Sequence, residues 1–195
     1  RRRVATISKA HGSQAPDAVN PARSDLVRGV VRGIWRTRGS GHGKGAAPIL
    51  PGHVRSMVDE LDGDTPRATR DRALVLFLLA SGVRRSELAA ITVADLDWSD
   101  PRGVVVSIQR SKTDQPGVGR EVSITRGRNP STCPVRALRS YLTAAGVQAG
   151  PVFRGIDRHG NVSDRGMTGA GVAYVVKAAG KLAGLSPAQV SPHGF

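Results

Sequence analysis

Eight consecutive residues, Ala73-Leu74-Val75-Leu76-Phe77-Leu78-Leu79-Ala80, carry no polar side chain. Thr65-Pro66 ahead of them reads as a helix start, with Thr as the cap and Pro at the first position. Gly82 behind them stands where a left-handed C-cap belongs. The spacing predicts a helix over Arg67 to Ala80 that is apolar on every side from Ala73 onward. Such a helix belongs in the centre of a core, because no face of it can be left in water. A membrane is excluded as its surroundings. The longest apolar run, Ala73 to Val83, includes Ser81 and Gly82 and falls well short of the roughly 18 residues a spanning helix needs.

The rest of the chain supplies layers to cover that helix. Asn20 to Arg38 reads as a helix capped by Asn20, with Pro21 in the first turn. Val27, Val30, Val31, Ile34 and Trp35 form an apolar stripe on it. Pro51 to Leu61 and Arg85 to Ile91 are expected to be shorter helices. Val104-Val105-Val106-Ser107-Ile108 is β-branched and Glu121-Val122-Ser123-Ile124 alternates, so the two predict a hairpin with a long, glycine-bearing tip over Ser111 to Gly119. Thr132-Cys133-Pro134 opens a helix to Ala145. A short Val152-Phe153 strand, a glycine-bearing loop and a helix from Thr168 to Ala183 complete the reading. The fold class is therefore mainly α with a small antiparallel β-sheet (α+β).

Charge divides the chain. The 195 residues hold 29 Lys+Arg against 15 Asp+Glu, a net charge of +14. Only Lys9, Lys44, Lys112, Lys177 and Lys181 are lysines. The planar arginine fork suits phosphate bidentately, so an arginine-dominated excess points to nucleic acid; a genome that encodes basic residues as Arg is the alternative. More than half of the excess lies in residues 1–50. Within that stretch Gly39-Ser40-Gly41-His42-Gly43-Lys44-Gly45 reads as a flexible linker. Ahead of the linker Arg28, Arg32 and Arg36 sit four apart on one helix face. Like charges at that spacing cost a few tenths of a kcal/mol each, which points to a polyanionic partner, with a solvated helix face as the alternative.

Several classes fall away. The single cysteine, Cys133, excludes a disulfide framework and a Cys-based zinc site. The five histidines, His11, His42, His53, His159 and His193, show no ligand spacing, and neither a phosphate-binding Gly-x-x-x-x-Gly-Lys loop nor a Gly-x-Ser-x-Gly elbow is present. No metal and no cofactor is expected. The basic start, Arg1-Arg2-Arg3-Val4, leads into no apolar segment, so no signal peptide is read and an intracellular, cytoplasmic protein is expected.

Three short segments bear on chemistry. In Ser81-Gly82-Val83-Arg84-Arg85-Ser86-Glu87-Leu88, Arg84 falls between a glycine turn and a helix start. An arginine held there can grip a phosphate in a charge-assisted pair worth about 1.5–3 kcal/mol. Glu87, three residues on, lies on the same helical face and can fix the fork; a solvated arginine pair and a first-turn acid form the plainer reading. In Arg110-Ser111-Lys112-Thr113-Asp114, a lysine at a hairpin tip can reach a groove and give a proton to a leaving oxygen, or be an ordinary loop lysine. Ser191-Pro192-His193-Gly194-Phe195 carries a histidine that means nothing by itself.

In this order the segments resemble the tyrosine recombinase (phage integrase) family, from roughly Ala46 onward. The residues that carry the resemblance are Arg-Asp-Arg-Ala-Leu at 70–74, Ser-Gly-Val-Arg-Arg-Ser-Glu-Leu at 81–88 and Asp95-Leu96-Asp97. Ser-Lys-Thr-Asp-Gln-x-Gly-x-Gly-Arg-Glu-Val at 111–122, Cys133-Pro134-Val135 and the closing Pro-His-Gly-Phe complete it. The resemblance implies a domain order: residues 1–38 the C-terminal part of a helical core-binding domain, 39–47 the linker, 48–195 a catalytic domain incomplete at its C-terminus. It implies that a tyrosine attacks a DNA phosphodiester, forms a 3′-phosphotyrosyl bond and releases a 5′-hydroxyl, with neither ATP nor metal. Arg84 would be the first phosphate-clamping arginine with Glu87 its support, Lys112 the general acid, and His193 a phosphate-binding or proton-transferring group. Arg28, Arg32 and Arg36 would bind the DNA backbone. Double-stranded DNA is the expected partner, a homo-tetramer on DNA the expected assembly of the full-length protein, and a bacterial or phage origin with nucleoid association the expected setting.

The resemblance places the second arginine and the nucleophilic tyrosine after Phe195, so the 195 residues alone are expected not to cleave DNA. Tyr141, in a helix, and Tyr174, in the apolar pattern Val172, Val175, Val176, are expected to be packing residues. A non-catalytic DNA-binding regulator on the same fold is the alternative. A structural RNA-binding protein is disfavoured by the long apolar helix and the few aromatics available for base stacking.

Overall fold

The computed structural model describes residues 2–38, 49–109, 119–186 and 190. The Gly39–Gly45 run, Lys112 and His193 lie outside the described residues, as does the side chain of Trp35. The chain divides into two compact units, Arg1–Gly45 and Ala46–Phe195.

The first unit contains α1 (Arg2–Gln14) and α2 (Asp25–Arg38). Asn20 does cap the turn that follows it, accepting from the Ala22 amide at 3.1 Å. Its amide nitrogen also donates to the Ser8 carbonyl of α1 at 2.8 Å, which ties the turn to α1. The helix expected from Asn20 is broken, however. Pro21–Arg23 is a separate 3-10 turn, and α2 starts only at Asp25, after Ser24 turns extended. Of the apolar stripe, Val27 and Val31 are half-buried, whereas Val30 and Ile34 remain largely in solvent.

The second unit is built round α4 (Pro66–Ser81). Thr65 caps it through a hydrogen bond from the Ala68 amide, and Gly82 ends it at φ 58°, a conformation that costs a glycine little. Ala73 to Leu78 are all buried, so the helix is enclosed on every side across those residues. Leu79 and Ala80 are not; the apolar run leaves the core two residues before the expected point. Against α4 pack α3 (Pro51–Asp59), α6 (Pro134–Ala144) and α7 (Gly169–Leu182). Phe153 joins the layers: its ring stands edge-on to Phe77 of α4 at 5.9 Å and stacks on Tyr141 of α6 at 5.8 Å.

Two small antiparallel sheets complete the unit. The expected hairpin is β2 (Gly103–Ile108) with β3 (Arg120–Thr125), paired from Gly103↔Thr125 to Ile108↔Arg120, and β1 (Leu96–Asp97) adds an edge to β2. The second sheet pairs β4 (Arg154–Ile156) with β5 (Val162–Gly166). The strand expected at Val152-Phe153 is thus displaced: those two residues are core plugs ahead of β4, and their burial rather than ladder pairing explains their apolar character. The glycine-bearing loop expected after them holds the β4–β5 hairpin.

Two arginines of α4, Arg70 buried and Arg67 exposed, fasten it to β4 and the residue after it. Arg70, 6% exposed, donates to Asp71 and to the Arg154 carbonyl, and Arg67 donates to the carbonyls of Ile156 and Asp157. Burial pushes the Asp71 carboxyl up, against the pull of the Arg70 guanidinium. Among the described residues no helix is long and apolar enough to cross a membrane, and no cluster of His, Cys, Asp and Glu is placed to hold a metal ion.

Candidate nucleic-acid site

Gly82 ends α4, and two residues later the chain starts α5 (Arg85–Ala90) with Arg84 at the cap position. Val83, buried between them, anchors the junction. The Arg84 amide donates to Glu87 Oε2 at 2.9 Å, so Glu87 closes the first turn of the helix it belongs to. Its other oxygen, Oε1, accepts from Arg84 Nη1 at 2.8 Å. The carboxylate therefore holds both ends of the same arginine, backbone and side chain. Glu87 is 3% exposed and Arg84 is 47% exposed. A buried acid steering a half-exposed cation is the arrangement that presents a guanidinium fork toward a ligand while fixing its direction.

A third group completes this cluster. Arg120, the first residue of β3, donates from Nη2 to Glu87 Oε2 at 3.1 Å and is 45% exposed. The sequence contains Arg120 within a recognisable segment but gives it no role, because its partner is 33 positions away. The available signal was positional: an arginine directly behind Gly119, where the hairpin returns. One carboxylate between two guanidiniums leaves an excess of one positive charge at a partly open surface, and such a surface attracts anions.

Beside it, Asp95 accepts from the amide and hydroxyl of Thr92 at 2.8 and 2.7 Å and from Gln109 Nε2 at 3.0 Å. Burial raises the Asp95 carboxyl, and these hydrogen bonds outweigh it, leaving the group below its ordinary value. Across α5, the N-terminal turn of α7 approaches: a methyl group at Gly169 would lie 3.6 Å from the Arg85 side chain. Thr168 caps α7 through the Gly171 amide.

The structure thus brings Arg84 and Glu87 together as the spacing predicts. Arg28, Arg32 and Arg36 belong to the first unit, where all three are exposed on α2. Arg28 lies 3.6 Å from Asp25, and Arg32 Nε bonds the Arg28 carbonyl. Tyr141 is fully buried, and its hydroxyl accepts from the Arg154 amide at 3.1 Å. Tyr174 is 74% exposed, which overturns its expected packing role. It lies about 200° round α7 from Val172, given 100° per residue, and so points away from the face that Val172, Val175, Val176 and Ala179 bury.

Comparison with known proteins agrees with this architecture. Over all 195 residues the chain is 34% identical to an "Integrase/recombinase xerD homolog" of Selenomonas ruminantium and spans 57% of that protein's length. Over 95 residues it is 39% identical to a "Putative integrase/recombinase y4rF" of Sinorhizobium fredii, covering 46% of this chain and 20% of that one. The fold is shared with the crystal structure of XerA recombinase, at TM-score 0.55 and 17% identity over 99% of this chain and 64% of that one. It is shared too with XerH site-specific recombinase bound to palindromic difH substrate in a post-cleavage complex, at TM-score 0.56 and 14% identity over 80% of this chain and 41% of that one. Residues 49–195 match the phage integrase family, and on that match the chain belongs to it.

Proposed function

We propose that this chain belongs to a site-specific DNA recombinase that breaks and rejoins duplex DNA through a 3′-phosphotyrosyl intermediate. The observation that carries the reading is the Arg84–Glu87 pair, a fixed and half-exposed guanidinium at the end of a buried carboxylate. The reaction puts extra negative charge on the non-bridging oxygens of the attacked phosphate. A preorganised cation facing them stabilises that charge without having to reorganise.

In the proposed step a tyrosine oxygen attacks the phosphorus, and a Tyr–O–P bond replaces the bond to the 5′-oxygen. The tyrosine proton is lost, and the departing 5′-oxygen takes up one. Lys112 is the proposed donor of that proton. Arg84 and His193 are proposed to hold the phosphate, with Glu87 orienting Arg84. Reversal by another strand's 5′-hydroxyl conserves the phosphodiester free energy. Arg28, Arg32 and Arg36 are proposed to grip the duplex backbone from the first unit, residues 1–38 being part of a core-binding domain joined by residues 39–47 to the catalytic domain. A homo-tetramer on DNA, assembled by the full gene product, is the proposed working state. That XerH has been captured with a DNA substrate supports the partner assigned here.

The test is covalent trapping of the full gene product on nicked suicide duplexes carrying its own recombination site. Wild-type protein is expected to form a protein–DNA adduct, and Arg84→Ala to form it on the order of 100- to 1,000-fold more slowly. Duplex binding by the wild type with no adduct would instead establish a non-catalytic DNA-binding protein.

A further inference from the structure

The two strands of the β2–β3 hairpin end, on the side of the loop that carries Lys112, at Ile108 and Arg120. Each strand is hydrogen-bonded there to the segment running on from Arg84. Arg120 reaches Glu87 of α5, and Gln109, next to Ile108, reaches Asp95 in the turn before β1. A small cavity of about 110 Å³ lies between the two links, lined by Glu87, Ile91, Asp95, Ile108 and Gln109 among others.

We infer that Arg120 is a positioning residue for the phosphate clamp, acting on Arg84 through Glu87; this rests on the recombinase reading above. A carboxylate offers two oxygens. The Arg84 side chain takes Oε1, and Arg120 shares Oε2 with the Arg84 amide, so Arg120 helps to hold the rotation of the carboxylate that aims Arg84. The same contact joins the helix bearing Arg84 to the hairpin bearing Lys112, so two groups proposed for one phosphate share one anchor.

The experiment compares Arg120→Ala, Arg120→Lys, Arg84→Ala and the Arg84→Ala/Arg120→Ala double variant of the full gene product. It reads duplex affinity against salt and the first-order rate of adduct formation on saturated suicide substrate. For Arg120→Ala the expected result is unchanged affinity and salt slope with an adduct rate roughly 10- to 100-fold lower, the size of loss that small misplacement of a reacting group produces. Arg120→Lys, which keeps the charge and one donor, is expected to be faster than Arg120→Ala. The double variant is expected to be no slower than Arg84→Ala, because a group acting through Arg84 has nothing left to act on.

The inference is overturned by a wild-type rate in Arg120→Ala, by equal rates in the Lys and Ala variants, or by a double variant slowed by the product of the single effects. It is overturned too if the whole loss lies in affinity, with the salt slope reduced by about 0.9, the mark of a direct phosphate contact. Failure of the wild type to form any adduct would refute the recombinase reading itself, and this one with it.

Discussion

Arg84 and Glu87 are joined twice, by side chain at 2.8 Å and by the Arg84 amide at 2.9 Å. The two residues are not equivalent. Glu87 is buried and accepts from the Arg84 amide and from the Arg84 and Arg120 side chains, whereas Arg84 is half in solvent and keeps much of its hydration if the contact is lost.

This asymmetry predicts unequal costs in stability. Glu87→Ala removes the acceptor of two guanidiniums and the cap of α5, and is expected to lower stability by about 2 kcal/mol. Arg84→Ala leaves Glu87 bonded to Arg120, and its partly exposed pair is worth about 1 kcal/mol at most. Urea denaturation of the two variants checks the order; equal losses would contradict it.

The α2 arginines make a prediction that the 195-residue chain can test directly. If Arg28, Arg32 and Arg36 contact duplex backbone, each replacement by Ala reduces the slope of log affinity against log salt by about 0.9. Fluorescence anisotropy over a salt series measures it. An unchanged slope in the triple variant would leave these arginines as a solvated face.

The two tyrosines are expected to behave oppositely. Tyr141→Phe leaves the half-buried Arg154 amide without its acceptor, at a cost of about 1 kcal/mol. Tyr174→Ala changes an exposed side chain and is expected to stay within about 0.5 kcal/mol of wild type. Thermal or urea denaturation distinguishes them.

Val190 is buried on α7 where Gly180 leaves room: a methyl group at Gly180 would come 2.4 Å from Val190 Cγ2. Gly180→Ala is therefore expected to destabilise the chain by about 1–3 kcal/mol through overpacking. Val190→Ala in the Gly180→Ala background is expected to recover part of that loss, which a double-mutant cycle reads as coupling.

Acid sensitivity has one surface source that can be isolated. The Arg102 side chain and amide, hydrogen-bonded to Asp100, hold its carboxyl at about 2 rather than 3.8. The folded value lies below the unfolded one, so the stabilisation is full above pH 3.8 and is lost as pH falls toward 2. Asp100→Asn is expected to flatten the stability profile across that window. Since the pair is exposed, 1 M salt is expected to reduce the difference. Denaturation midpoints between pH 2 and 5 provide the measurement.

What the sequence determined by itself is local or periodic. The apolar run from Ala73 requires a central helix, Thr65 and Gly82 bound it, and β-branched residues from Val104 pair with the segment at Glu121, because capping, turn conformation and side-chain alternation act within a few residues. Arg84 and Glu87, one helical turn apart, were legible for the same reason. The tertiary structure alone decided what depends on distant approach. Arg120 reaches Glu87 across 33 residues, and Arg70 finds the Arg154 carbonyl across 84. Val152 and Phe153 looked like a strand because apolar residues serve a ladder and a core equally well, and only packing chooses between them. Tyr174 looked buried because its neighbours are, while the helical rotation set by the packed face of α7 turns it outward. The clamp's second arginine and the direction of each ring are properties of the assembled core, where a side chain's neighbours are fixed by space rather than by order along the chain.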